Sequence, residues 1–256
     1  MSATHARKKP FLRLATAAVA MVAALGMAAC SGGASTSSSS SSSAQVGDRS
    51  PEQIKEAGEI VIGIFSDKAP FGYIDADGKP AGYDVVYGDR IAADLGVTAK
   101  YVPVDAAART EVLASNKVDI TLANFTVTPE RAEKVDFANP YFKVSLGVVS
   151  PTSAEITDVS QLAGKTLIVT KGTTAEAYFE ANHPEVKLLK FDQYSDAYQA
   201  LEDGRGDAFS TDNTEVIAWA IQHPGFSVGI KSLGETSYIA AAVKKGNTAL
   251  LDWLNN

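Results

Sequence analysis

The sequence predicts an α/β protein built from two successive α/β sets, and three observations carry that prediction. Ile60-Val61-Ile62-Gly63-Ile64-Phe65 is a continuous apolar run, the pattern of a strand buried on both faces. Strand-like and helix-like segments alternate after it, as they do in mixed α/β folds. Tyr141 to Ser150 then reads as a strand leaving the first set, and a second set of the same kind begins at Val159. At 256 residues, 45% hydrophobic and 21% charged, the chain has room for one or two domains with a sizeable core and the composition of an ordinary soluble protein.

Residues 1–29 are predicted to be a targeting segment outside the fold. Arg7, Lys8, Lys9 and Arg13 make its basic start, and Leu14 to Leu25 is apolar but too short to span a bilayer. Met27-Ala28-Ala29-Cys30 resembles a bacterial lipobox, with Met27 where Leu or Val is usual. Cys30 is the only cysteine, so no internal disulfide can form. It is expected to be acylated as the first mature residue, holding an exported protein on the outer face of the cell membrane; the alternative is a plain secretory signal cut near Ala29. Residues 30–50 are expected to form the acylated cysteine and its tether, because Ser31 to Ala44 is nearly all Ser, Gly, Ala and Thr and has nothing to bury. Loss of residues 1–29 leaves 19 basic against 30 acidic side chains, a charge of −11, which argues against nucleic acid as a partner.

The folded part starts with a short helix from Pro51 to Ala57, followed by the apolar strand. A loop containing Asp67-Lys68-Ala69-Pro70-Phe71-Gly72-Tyr73 comes next, at the strand end where ligands bind in open α/β sheets. Asp75-Ala76-Asp77-Gly78-Lys79 is a turn by its Asp-Gly pair. A helix over 85–95 buries Tyr87, Ile91 and Leu95 and stops at Gly96. A strand over 99–104 and a helix over 106–115 follow, with Ala108, Val112 and Leu113 inward. Arg109 falls in the first turn of that helix, where a cation is unfavourable. Either it has a specific anion partner or it is a solvated surface residue. In the second set, strands are expected at 167–169, 188–191 and 208–211, the last ending in Asp212. Helices are expected at 175–181, 195–202 and 214–222, with Lys231 to Val243 carrying the chain back.

The stretch from Asp119 to Phe137 concentrates polar chemistry. It reads as a short strand from Ile120 to Leu122, a crossover from Asn124 to Thr126, and a helix opened by the N-cap Thr128 and by Pro129. Asn124, Thr126, free amides and Arg131 can then converge on a carboxylate. The alternative is a surface helix whose Arg131 pairs with Glu130 or Asp136. Lys171-Gly172-Thr173-Thr174 repeats the theme of amides and hydroxyls at a helix start, or is an ordinary turn capped by Thr.

Other chemistries find little support. The acids of the Asp75 turn lack the Glu that a calcium loop needs at its twelfth position. His183-Pro184 and His223-Pro224 are turns without zinc spacing. No phosphate loop, dinucleotide motif or nucleophile triad stands out, and Arg205-Gly206-Asp207 is taken as a chance tripeptide. No metal or cofactor is expected.

Taken together, Asp67 to Tyr73, Gly82-Tyr83-Asp84-Val85, Thr126 to Arg131, Gly172-Thr173-Thr174 and Gly206-Asp207-Ala208 leading to Asp212 resemble the bacterial solute-binding proteins of family 3, the polar-amino-acid receptors of ABC importers. The resemblance covers Glu59 to Trp253; Val86 stands where an acid is usual. It implies an α/β, two-lobe periplasmic-binding-protein-like fold (type II) with two hinge strands. Lobe 1 would be 51–145 plus 238–256, and lobe 2 would be 146–237. It implies a monomeric receptor, not an enzyme, that closes over one amino acid and delivers it to an ABC permease.

The resemblance also assigns roles. Arg131 would clamp the ligand α-carboxylate with Thr126 and the Thr174 amide beside it, Asp212 would take the ammonium with Thr126 or a crossover carbonyl helping, and Asn124 and Gly172 are also expected to bind the ligand. Phe65 or Phe71 would pack on the ligand. The runs around Phe65, Asn124 and Gly172 are most similar to the cysteine-binding branch. In the glutamate/aspartate branch, residues matching Arg109 and Tyr194 contact the ligand side chain, so acidic amino acids rank second and Arg109→Ala is expected to hurt glutamate more than cysteine. A dehydratase or a sensor domain on the same fold ranks below both. Family members also continue past the segment matching Leu250 to Asn256 with further helix.

Overall fold

The computed structural model describes residues 44–256. The targeting segment, Cys30 and most of the Ser-rich run lie outside them. Helix α1 (Pro51–Ala57) is set by a Ser50 capping box with Gln53 and by Pro51 at its first position. Strand β1 (Glu59–Ile64) is buried on both faces, as its unbroken apolar run requires. A small antiparallel sheet of β2 (Asp67–Lys68), β3 (Gly72–Ile74) and β4 (Pro80–Ala81) follows, its turn tied by Asp75. Helix α2 (Tyr83–Leu95) ends at Gly96, which takes the left-handed conformation at φ 72°.

Next come β5 (Thr98–Pro103), a 3-10 turn (Ala106–Ala108) that runs into α3 (Arg109–Ala114), β6 (Ile120–Thr121), the single-turn α4 (Pro129–Ala132) and β7 (Val135–Phe137). Strand β8 (Phe142–Pro151) leads into β9 (Thr166–Thr170), α5 (Thr174–Asn182), β10 (Lys187–Phe191), α6 (Tyr194–Glu202), β11 (Ala208–Asp212) and α7 (Asn213–Gln222). The long β12 (Phe226–Ile239) returns to β13 (Ala242–Lys244) and α8 (Thr248–Asn255).

These elements form the expected two lobes. The first sheet has the order β5-β1-β6-β13-β7, and the second β10-β9-β11-β8-β12. In each, a parallel trio comes from local α/β repeats, and the strand next to it is antiparallel. Strands β8 and β12 connect the two sheets and pair with each other from Phe142–Ile239 to Pro151–Phe226. Ile60, Ile62, Ile91, Leu95, Ile120 and Leu250 centre one core, and Leu146, Val148, Leu167, Val169 and Phe179 centre another. A third apolar cluster joins Phe65 and Phe125 of the first lobe to Ile168, Tyr194 and Phe209 of the second.

One expectation needs correction. The last residues assigned to the tether are part of the first lobe. Asp119 is fully buried and accepts from the Arg49 guanidinium and from the amides of Gly47 and Val61. A buried carboxylate needs a cation and hydrogen bonds, so Gly47 to Arg49 is drawn onto the sheet.

Candidate functional site

The crossover after β6 holds two non-glycine residues at positive φ, Ala123 at 37° and Asn124 at 41°. Each such residue costs about 1–3 kcal/mol and persists only where its surroundings insist on it. Here they do. The Asp84 carboxylate accepts from the Asn124 amide at 2.8 Å and from the Tyr141 hydroxyl at 2.9 Å, and burial pushes Asp84 up to about 6. Arg109 Nη1 donates to the carbonyls of Ala123 and Asn124 at 3.2 and 3.1 Å. So held, Asn124 sends its side-chain amide to Asp212 Oδ2 at 2.5 Å, while its own Oδ1 is buried with no hydrogen-bond partner.

Arg131 belongs to α4, whose Thr128 cap accepts from the Arg131 amide at 3.3 Å. The surface-pair alternative fails, because Glu130 pairs with Lys134 and Asp136 with Lys245. The Arg131 guanidinium instead turns inward over the Phe125 ring and donates to the Thr126 carbonyl at 2.7 Å and the Gly172 carbonyl at 2.8 Å. Burial, with the Arg109 guanidinium alongside, pushes it down to about 9. Among the described residues it has no carboxylate partner at salt-bridge distance. It is a cation short of an anion.

The second lobe supplies Gly172, Thr173, Thr174, Tyr194 and Asp212. Gly172 sits at φ 72°, and a β-carbon there would come within 2.5 Å of the Ala107 Cα across the cleft. Only glycine allows that approach. Its amide donates to Glu176 at 2.7 Å, and Thr173 caps α5. Asn124, Thr126, Thr174, Tyr194, Asp212 and Arg109 share a cavity of about 10 Å³, close to the space of one water. A larger cavity of about 560 Å³ shares Arg109, Thr173 and Thr174 with it and adds Arg131 and Gly172 to its wall. Most of the expected site residues therefore meet in one crevice.

Three expected residues behave differently. Phe71 lies in an aromatic cluster with Tyr83 and Phe142 and does not line either cavity. Phe65 is one layer back, edge-on to Tyr194 at 5.3 Å. Arg109 is neither solvated nor paired with an anion. Its Nε donates to Ala106 O, Nη1 to two crossover carbonyls and Nη2 to Gly172 O. Four of its five donor positions are thus occupied by backbone. This revises the expectation for Arg109→Ala: cysteine and glutamate binding should fall together, by about tenfold or more, because the crossover rather than a side-chain pocket is lost. Calorimetric titration with both ligands checks this.

Two residues escaped the sequence reading. Lys68 is 1% exposed and Glu215 is fully buried, and they pair directly. Lys68 sits in a run of loop-forming residues and Glu215 opens an ordinary helix, so neither carries a local signal of burial.

Two α/β lobes, two connecting strands and a polar crevice between them, with an unpaired guanidinium and an unfilled acceptor, define a binding protein that encloses a small solute. The chain belongs to the bacterial extracellular solute-binding proteins, family 3, whose model matches residues 60–256. It is 54% identical to the solute receptor for L-cysteine of Neisseria gonorrhoeae, with 81% of this chain and 85% of that one covered and a TM-score of 0.79. It is 51% identical to the cysteine-binding protein of Campylobacter jejuni, with 80% and 84% covered and a TM-score of 0.79. The ABC transporter glutamine-binding protein GlnH of Bacillus subtilis (strain 168) is 30% identical over 207 residues, 79% of this chain and 76% of that protein. The chain is a solute-binding protein rather than an enzyme.

Proposed function

We propose that this chain is the extracytoplasmic receptor of an amino-acid ABC importer and that its ligand is cysteine or a close sulfur relative. The observation that supports this best is the pairing of opposite needs in one crevice. Among the described residues, Arg131 of the first lobe lacks an anion, and the Asp212 carboxylate of the second lobe accepts from the Asn124 side-chain amide, with the Lys68 ammonium 3.6 Å away. A zwitterion meets both. Its carboxylate takes the Arg131 donors now spent on Gly172 O, with Thr126 and Thr174 beside it. Its ammonium replaces the Asn124 amide at Asp212 and reaches Asn124 Oδ1. The ligand then spans the lobes and favours their closure, which is the signal a permease reads.

Cysteine ranks above glutamate and aspartate for two reasons. The similar cysteine receptors share over half of the aligned sequence. Arg109 also has little donor capacity left for a distal carboxylate. The purified protein should melt higher with cysteine than with cystine, glutamate, aspartate or glutamine. At a thousandfold excess over the dissociation constant, linkage amounts to about 4 kcal/mol. No response to any of the five would end the amino-acid reading, and a preference for glutamate would end the cysteine one.

The lobes exchange at 145/146 and 237/238, inside the β8–β12 pair, which acts as the hinge. The Cys30 anchor and serine tether hold the monomeric receptor near its permease. Cys30→Ser should move the protein from the membrane fraction to the soluble fraction; retention on the membrane would rule the anchor out.

A further inference from the structure

Every ion pair between the lobes among the described residues uses Lys68. It comes from β2 of the first lobe, and its ammonium meets Glu215 directly, Thr211 Oγ1 at 3.1 Å and Asp212 Oδ2 at 3.6 Å, all on the second lobe. It lies 3.9 Å from the centre of the Tyr194 ring. Glu215 in turn accepts from Tyr198 at 3.1 Å and Thr211 at 2.9 Å, so both of its oxygens are hydrogen-bonded. Neither Lys68 nor Glu215 lines the small cavity. The remaining buried bridges nearby between the lobes, Asn124 to Asp212 and the two arginines to Gly172 O, belong to the crevice itself, and Ser195 to Asp67 and Gln193 to Asp105 are exposed.

We infer that Lys68 and Glu215 form a charge latch that sets how readily the cleft closes, and through closure the ligand affinity, without touching the ligand. The affinity part rests on the cleft being the amino-acid site; the closure part does not. Opening the lobes would hydrate both charges, and closing must strip that water away. For a well-bonded buried pair the loss and the gain nearly cancel. The intact latch thus leaves the choice between open and closed to the ligand, as a receptor that must release its cargo requires. Removing one partner breaks the balance. Without Lys68, closure buries Asp212 and Glu215 on adjacent turns with no ammonium between them. Without the Glu215 charge, Lys68 turns to Asp212 and competes with the ligand ammonium.

The test is a double-mutant cycle on the whole protein in a Cys30→Ser background. Cysteine affinity is measured for Lys68→Met, Glu215→Gln and the double variant. Interlobe distances are measured by spin labels at Glu56→Cys and Lys187→Cys, with and without saturating cysteine. Lys68→Met should weaken binding by about 100-fold and Glu215→Gln by about tenfold. The double variant should return to within about fivefold of the parent, since Glu215 is then neutral and the ligand ammonium pairs the one remaining carboxylate, Asp212. Ligand-free Lys68→Met should show longer interlobe distances than the parent, and the double variant should reverse the shift. A double variant as weak as the product of the singles overturns the latch. So does a lower melting temperature with affinity and distances unchanged. If the parent binds none of the amino acids, the ligand reading has failed, and the ligand-free distances alone decide: no shift in Lys68→Met overturns the latch.

Discussion

Arg131→Ala is expected to weaken binding of every amino acid by about 10³-fold, the loss that follows when one partner of a buried, hydrogen-bonded charge pair is truncated. Among the described residues, the guanidinium is the one cation facing the crevice whose donors meet only carbonyls and that does not hold the crossover as Arg109 does. Burial first and the Arg109 guanidinium second push its pKa down to about 9, and the carbonyls it meets bring it no counter-charge. A ligand carboxylate replaces it with two parallel charge-assisted bonds. Without Arg131, that carboxylate would be buried against Phe125 and the Thr126 backbone. The fold should survive. Gly172 O keeps its bond from Arg109, so only the Thr126 carbonyl is left short, at about 1–3 kcal/mol. Arg131→Lys should recover part of the affinity but not all, because a point charge cannot make the bidentate contact. Isothermal titration with cysteine measures both, and an alanine variant that binds as the parent does would remove Arg131 from the site.

Asp212→Asn should cost about 10²-fold to 10³-fold, from the other end of the ligand. The substitution keeps the shape of the side chain and an oxygen for Asn124 Nδ2, so a loss of affinity reports the charge. The ligand ammonium would lie in a buried crevice with Asn124 Oδ1 as its remaining acceptor, and an ammonium without a counter-ion is costly there. Lys68 adds to the effect: at 3.6 Å from Asp212 it repels the ammonium unless the carboxylate stands between them. The variant should melt close to the parent, since Glu215 continues to hold Lys68. Binding of uncharged-amine analogues, such as an N-acetyl amino acid, should be weak to both proteins and change little between them. An Asp212→Asn protein that retains parent affinity for cysteine would place the ammonium elsewhere.

Much of this site was legible in the chain because its residues act through local structure. Thr128 and Pro129 announce a helix start, and a helix start brings Arg131 to the crossover one turn later. Gly172-Thr173-Thr174 announces another, and only glycine can approach Ala107 as Gly172 does. Asp212 ends a strand that Ala208-Phe209-Ser210-Thr211 marks before it. The expectations that fit the geometry poorly share one cause. Arg109 looked available because its partners, the carbonyls of Ala106, Ala123, Asn124 and Gly172, are backbone atoms that every sequence contains. Phe71 looked like a ligand platform because it sits in a motif loop, yet Tyr83 and Phe142 enclose it.

The resemblance carried by its motifs gave the family and proposed Arg131 and Asp212 for the ligand's ends, while what the sequence determined by itself is the order of α/β units and the caps and stops of most helices. Those follow from short-range physics: apolar periodicity, cap hydrogen bonds and glycine stops act within a few residues of one another. What only the tertiary structure decided is which charges are buried and who shares them. Lys68 and Glu215 stand 147 positions apart, and Arg49 reaches Asp119 across 70. Burial of a charge depends on what the rest of the chain lays over it, and no local pattern encodes that.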